Sequence, residues 1–251
     1  MKIVTWNCCG KFREDLPYIL DKKSDFHIGA DIYVIQECEN PDEDLPKYKK
    51  YKELVEKTFG CKYKWIGDIH YKGLGIFVAN DDITVECVKV SENKFKHFLP
   101  LKINDNFTLL GVWAMGKDDE KGLKPYVEMI HDYFDANEDL FNEDLVMCGD
   151  FNSSEVFNGH HPKAKNHTEL NNKLESKNLF SVYHSKTKED HGKETKYTFY
   201  QARHLSNPYH LDYVYAKKGA VKKFKILDHG KWICLSDHLP ITFEIDESKF
   251  D

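Results

Sequence analysis

The sequence predicts an α/β protein in which two mixed β-sheets pack face to face with helices on the outside. Three observations carry that expectation. Strand-like apolar runs of similar weight occur in both halves of the chain, and helical patterns separate only some of them. Several of these runs end in a carboxylate, a carboxamide or an imidazole. No repeat, low-complexity segment or linker breaks residues 1–251, which read as a single domain.

Residues 2–6 alternate as a strand does, Asn7 stands at their end, and Cys8-Cys9-Gly10 turns. Residues 15–25 place Leu16, Ile19 and Leu20 at helical spacing, with Pro17 expected in the first turn. Residues 31–37 are β-rich and finish in Gln36-Glu37. Strand, helix and strand in that order yield a parallel pair, whose C-terminal ends share one edge. Asn7 and Glu37 are therefore expected to be neighbours. Residues 46–59 form a lysine-rich amphipathic helix with Tyr48, Tyr51, Leu54, Val55 and Phe59 on its apolar side. Runs at 63–69, 75–79, 83–90, 95–103 and 107–113 follow closely, with Asn80-Asp81-Asp82 and Asn104-Asp105-Asn106 as turns. They predict an antiparallel meander.

Residues 124–140 carry Tyr126, Val127, Ile130, Tyr133 and Phe134 at helical spacing. Leu145-Val146-Met147-Cys148 then reads as a short buried strand, and Gly149 frees the backbone to turn. On an extended backbone alternate side chains share a face, so Asp150 and Asn152 point together and Phe151 turns into the core. A plain Asx turn is the competing reading. Residues 153–166 are a polar loop, 168–177 a short helix with Thr168 placed as its N-cap, and 186–196 a charged, flexible loop. Tyr197-Thr198-Phe199-Tyr200 begins a strand, 201–208 is a polar loop, and 209–215 alternates again. Residues 221–227 are a strand, 232–235 lead into Ser236-Asp237-His238, and 240–245 close the chain with a last strand.

Composition excludes several classes. No run approaches the ~20 apolar residues of a membrane span, so no membrane partner is expected. The first six residues lack the apolar core of a signal peptide. Seven cysteines, an odd number without CxxC spacing, suit a reduced, cytoplasmic protein without disulfides. Cys87, Cys148 and Cys234 lie in apolar runs and read as small core residues. The net charge of −6 lacks the basic field of a protein that grips duplex non-specifically. The lysines at 47, 49, 50 and 52, and at 217, 218, 222, 223 and 225, read as solvated faces. Nothing marks an obligate protein partner.

The polar residues at strand ends are Asn7, Glu37, Asp150, Asn152, Asp212, Asp237 and His238. Hard oxygen donors suit Mg²⁺ or Mn²⁺ rather than Zn²⁺. Glu37 and Asp237 would supply the one or two carboxylates such an ion takes. One carboxylate is left to act on a water and one imidazole to meet an anion.

In order along the chain, Thr5-Trp6-Asn7, Ile35-Gln36-Glu37, Gly149-Asp150-Phe151-Asn152, Tyr197-Thr198-Phe199-Tyr200, His210-Leu211-Asp212-Tyr213 and Ser236-Asp237-His238-Leu239-Pro240 resemble the endonuclease/exonuclease/phosphatase family. That family includes exonuclease III, the apurinic endonucleases and deoxyribonuclease I, and the resemblance spans nearly the whole chain. It implies a four-layer α/β sandwich that hydrolyses phosphate esters with a divalent metal, here a nuclease acting on DNA, since the layout from Tyr197 to Tyr213 looks most like the exonuclease III branch. Matching position by position, Glu37 and Asp237 hold the metal with Asn7 close by. Asp150 orients or deprotonates the attacking water, and Asn152 steadies that water or a phosphate oxygen. Asp212 accepts a hydrogen bond from His238, whose other nitrogen faces the phosphate. The division suits phosphoryl transfer, which needs in-line water and positive charge on the phosphate oxygens.

Two positions depart from the family pattern. Cys9 replaces a carboxylate that often reaches the metal through water; a neutral thiol is a poor Mg²⁺ ligand, though the plainer reading of Cys9 is a packing residue. Trp113 stands where a Tyr or His commonly approaches the phosphate, and indole can donate but not ionise. Phe199 and Tyr209 match positions that flank a sugar or base, with core packing as the alternative. His160, His161 and His167 follow Asn152 closely; His161 is a candidate for substrate contact, and solvent exposure is the alternative. Their spacing is no standard metal signature, so no second metal is expected there. Two other functions stay open: a phosphatase or phosphodiesterase on a small ester (a phosphoinositide, nucleotide or lipid head group), and a non-catalytic module that keeps the fold alone.

Overall fold

Alternation along β1 (Lys2–Asn7) splits its side chains between two cores: Ile3 faces the gap between sheets, Val4 and Trp6 the helical layer outside. The computed structural model describes residues 1–90, 95–116 and 125–250. After β1 come α1 (Phe12–Leu20), β2 (Ile32–Cys38), α2 (Lys49–Phe59), β3 (Tyr63–Ile69), β4 (Lys72–Val78) and β5 (Val85–Cys87). Next are β6 (Phe98–Ile103), β7 (Phe107–Trp113), α3 (Val127–Ala136), β8 (Leu145–Asp150), α4 (His167–Ser176), β9 (Phe180–Ser181) and α5 (Val182–Thr187). The chain finishes with β10 (Phe199–Tyr200), β11 (Pro208–Tyr209), β12 (Asp212–Ala216), β13 (Val221–Ile226), α6 (His229–Trp232) and β14 (Ile241–Ile245).

Two six-stranded sheets result, ordered β13-β14-β1-β2-β4-β3 and β5-β6-β7-β8-β12-β9, with β10 and β11 as a separate ribbon. Both sheets are mixed: β1–β2 and β7–β8 run parallel, their other pairs antiparallel. Ile3, Val34, Ile76, Leu109, Val146 and Val214 fill the space between them. Phe12, Leu16 and Ile19 of α1 and Tyr51 and Val55 of α2 cover the outside of the first sheet. Ile130 and Tyr133 of α3 and Leu170 and Leu174 of α4 cover the second. This is the four-layer α/β sandwich the sequence predicts. Each fully buried Leu, Ile or Phe contributes about 1.5–3 kcal/mol, so the helices are held chiefly by these stripes. No helix among the described residues is long and apolar enough to cross a membrane.

Several boundaries differ from expectation. Helix α1 starts at Phe12, whose ring packs on Tyr51 and Phe77, so Pro17 lies inside the helix rather than in its first turn. The cap of α4 is Asn166, whose side chain accepts from Glu169 N; Thr168 accepts from Asn158 Nδ2 instead. Helix α3 is shorter than expected, and the expected start at Lys124 lies outside the described residues. The meander is two pieces: β3 and β4 pair in the first sheet, β5, β6 and β7 in the second, and the Asn80-Asp81-Asp82 turn carries the chain across. The polar loop at 153–166 contains two short 3₁₀ turns, Glu155–His160 and Lys163–Lys165. All seven cysteines are free, but only Cys148 of the three expected in the core is there. Cys87 is exposed because β5 is a sheet edge, and Cys234 because it follows α6 on the surface. The two lysine groups do lie on solvated faces, apart from the half-buried Lys52 and Lys217.

Candidate active site

The parallel pairing of β1 with β2 puts Asn7 opposite Gln36, so Glu37 stands one residue past Asn7 at the same edge. Glu37 has φ 61 at a register shift between Gln36 and Cys38. The shift breaks the alternation, with Gln36 toward Thr5 and Cys38 in the helical layer. Such bulges re-aim one side chain at a sheet edge. Lys72 Nζ lies 3.1 Å from Glu37 Oε2. Cys9 follows in a left-handed conformation, φ 54, and its amide donates to Asn7 Oδ1 at 3.0 Å. Burial, then the negative charge of Asp237 and Glu37, pushes the Cys9 thiol up. Glu37, Cys9 and Asp237 therefore share one electrostatic neighbourhood.

On the second sheet Asp150 and Asp212 are direct partners across antiparallel β8 and β12. Gly149 makes that possible. Its φ is 145, and a Cβ there would lie 1.9 Å from Val112 O on β7. Beyond it, Asn152 turns left-handed, φ 45, and its amide donates to Asp150 Oδ1 at 2.8 Å. Asn152 Nδ2 donates to Asp150 Oδ2 at 2.9 Å and to Ala114 O at 2.8 Å. Asp150 and Asn152 do meet, and Phe151 is buried, but an Asx turn rather than an extended backbone brings them together. The two sequence readings describe one structure. Asn7 Nδ2 donates to the same Asp150 Oδ2 at 2.9 Å, joining the two sheets through the site.

His238 completes the arrangement. Its Nδ1 is 2.9 Å from Asp212 Oδ2, and its Nε2 is 3.9 Å from Asp150 Oδ2. Burial works against the imidazolium, but Asp212 and Asp150 outweigh it and raise the imidazole to about 10. Burial, with Asp212 adding to it, pushes the Asp150 carboxyl up to about 7 against the pull of His238. A charged imidazole therefore sits between two buried carboxyl groups, one polar atom of each within 4.8 Å of the others.

The strand-end motifs hold this geometry through members to which the sequence reading gave no role. Thr198 Oγ1 accepts from both Leu211 N and Asp212 N at 3.0 Å. Ser236 Oγ donates to Asn7 O at 2.7 Å and accepts from His238 N at 3.0 Å. Trp6 Nε1 donates to His238 O at 3.0 Å. Leu239 N donates to Thr198 O and Tyr200 N to Asp237 O, which zips 197–200 to the segment bearing Asp237 and His238. Lys72, too, gave no signal in sequence.

The softer candidates divide. Phe199 packs its ring 4.6 Å from the His238 ring and 6.5 Å from Tyr209, and both aromatics are half-buried. Trp113 is buried beside His97 and Lys72, and its Nε1 is without a partner. His161 is tied to α3 through Glu128, Nδ1 to Oε1 at 3.0 Å. His160 is exposed, and His167 points elsewhere, into a separate group of histidines.

The Endonuclease/Exonuclease/phosphatase family model matches residues 4–238. The chain belongs to the endonuclease/exonuclease/phosphatase family. It is accordingly a hydrolase of the nuclease and phosphatase kind. Solved structures share the fold. A Neisseria protein, described as the 3' phosphatase NExo and bound as a point variant to product DNA hairpin, aligns with TM-score 0.64 at 18% identity over 98% of this chain and 99% of its own. The 3'-5' exonuclease NExo from Neisseria meningitidis aligns with TM-score 0.63 at 17% identity, over 98% and 100% of the two chains. The endonuclease domain of TRAS1, a telomere-specific non-LTR retrotransposon, gives TM-score 0.58 at 14% identity, over 97% of each. Among curated sequences no relative matches.

Proposed function

We propose that this family member is a divalent-metal-dependent phosphodiesterase that cuts DNA, with Mg²⁺ or Mn²⁺ as its ion. The observation that carries the reading is His238, charged and buried, held by Asp212 and directed at Asp150. An imidazolium fixed in this way is a donor for a phosphate oxygen. Asp150, to which Asn7 and Asn152 donate, would orient a water and take its proton. Lys72, paired with Glu37 and lying over the ring of buried Trp113, would add positive charge near the first sheet's edge.

The residues at the first sheet's edge fit a hard cation. Glu37 and Asp237 would hold it, with Asn7 alongside. Asp237 has no ion-pair partner among the described residues, Glu37 is paired with Lys72, and burial, then both carboxylates, raises the Cys9 thiol between them. When bound, the ion would supply positive charge to the phosphate oxygens and leaving group. The case for DNA rests on half-buried Phe199 beside His238, with half-buried Tyr209 next to it, as surfaces on which a base could stack, and on the fold shared with proteins described as acting on DNA.

The test is a cleavage panel with Mg²⁺ or Mn²⁺: single-stranded, duplex, abasic-site and 3'-phosphate DNA, run beside nucleotide, phosphoinositide and lipid head-group esters. DNA cleavage is expected in the wild type and should vanish in Glu37→Ala and Asp237→Ala. If every DNA is left intact while a small ester is hydrolysed with little salt dependence, the DNA reading is wrong and the small-ester reading replaces it.

A further inference from the structure

We propose a second metal site, for a zinc-class ion, formed by His184, His191 and Glu194 and closed by His210. It stands apart from the strand-end cluster and does not depend on the nuclease reading. His184 comes from α5, His191 and Glu194 from the loop after it, and His210 from the segment before β12. One ligand atom each of His184, His191 and Glu194 lies within 4.8 Å of the other two. In a tetrahedral zinc site, with bonds near 2.0–2.1 Å, ligand atoms lie about 3.4 Å apart, so these three close in by up to about 1.4 Å, His191 rotates out of its stack on His184, and His210, outside that group, turns toward it. His184 Nε2 and Glu194 Oε1 are already 3.1 Å apart.

The second observation is a set of buried nitrogens with nothing to bind. His210 Nδ1 meets Lys196 O at 2.8 Å, so its hydrogen is on Nδ1 and its Nε2 is a bare lone pair. That Nε2 is buried without a partner, and His210 is 2% exposed. His167, fully buried, repeats the pattern: Nδ1 lies 3.1 Å from Ser153 Oγ and Nε2 has no partner. His191 Nδ1 is likewise unpartnered. The rings are gathered together: His184 stacks on His191 at 3.5 Å, His210 lies 5.9 Å from His184, and His167 lies 5.9 Å from His191. An imidazole that gives one N–H to a carbonyl or hydroxyl and turns the other nitrogen inward has the arrangement of a metal-bound histidine. Ser181 does this for His184, its Oγ 2.7 Å from Nδ1, and Gly192 N steadies Glu194 at 3.0 Å.

An imidazole-rich set with one carboxylate selects zinc, or its cobalt and nickel analogues, over Mg²⁺. All four donors would come from protein, so the ion is structural. It would pin the loop at 188–198 onto α5 and β12. The full-length chain, stripped with a chelator, should take up one equivalent of Zn²⁺ in calorimetry and show a thermal midpoint about 5–10 °C higher at a hundredfold excess over Kd. Co²⁺ should give the visible bands of a tetrahedral site without thiolate charge transfer. Asp237→Ala should keep this equivalent. Glu194→Gln, and His191→Asn in a half-exposed loop position that the core does not need, should each weaken Zn²⁺ binding at least about tenfold. Absence of stoichiometric uptake, a cobalt spectrum with thiolate bands, or unchanged affinity in both variants would overturn the site.

Discussion

His210 and Asp212 are two residues apart, yet they belong to buried polar clusters of opposite kinds. Around Asp212, His238 Nδ1 has its carboxylate, and Asp150 has two carboxamides and an amide. Around His210, imidazole nitrogens are buried without partners. Leaving a buried polar group unsatisfied costs about 1–3 kcal/mol, so the second cluster is unfavourable as it stands. The first is satisfied by its own side chains. The second is where we place the proposed zinc-class ion.

The comparison can be broken most sharply at Asp212. Asp212→Asn keeps the shape but removes the charge that sustains the imidazolium, and kcat on a phosphodiester should fall about 10²–10⁴-fold. Zinc uptake by the same variant should be unchanged. Equal damage to both readouts would show that the two clusters are one unit.

Gly149→Ala tests the backbone beneath the first cluster. A methyl group 1.9 Å from Val112 O, at φ 145, must force β7 and β8 apart. Denaturant unfolding should show a loss of at least about 3 kcal/mol.

Phe199→Ala removes the ring against His238 without touching a hydrogen bond. A stacking role predicts a weakening of DNA binding by about 1–3 kcal/mol, seen in KM more than in kcat. Loss of thermal stability with KM unchanged would make Phe199 a packing residue instead.

The smallest effect is expected at Asp15, buried on α1 with Oδ2 unpartnered. Burial pushes its carboxyl up to about 7. A folded-state value raised in this way stabilises fully only below the ordinary carboxylate range, and the contribution is lost as pH rises through about 7. Asp15→Asn should therefore stabilise the protein by about 1–2 kcal/mol at pH 8 and flatten the pH profile of unfolding below that. It sharpens the comparison by providing an unsatisfied polar group that no ion would rescue.

What the sequence disclosed follows from the range of each interaction. Residues 2–7 and 31–37 were legible because alternation and one intervening helix dictate a parallel pair, and their polar ends must then converge. Asp150 and Asn152 were legible because their contact is local. The jump of the chain from one sheet to the other at residues 80–82 was not, since a turn of Asn and Asp looks the same whether it closes a hairpin or crosses a sandwich. Strand β9 and helix α5 were missed because Phe180-Ser181-Val182-Tyr183-His184 shows neither a period of two nor of 3.6. The histidines at 167, 184, 191 and 210 carry no recognisable spacing, because tertiary packing alone gathers them. Lys72 is invisible for the same reason.

Cys9, half-buried and flanked by carboxylates, also bears on how the protein withstands oxidants. A thiol kept protonated attacks peroxide and alkylating reagents poorly, because the thiolate is the reactive form. Exposed Cys61, Cys87 and Cys234 would be modified first, leaving the sulfur beside Glu37 and Asp237 chemically quiet.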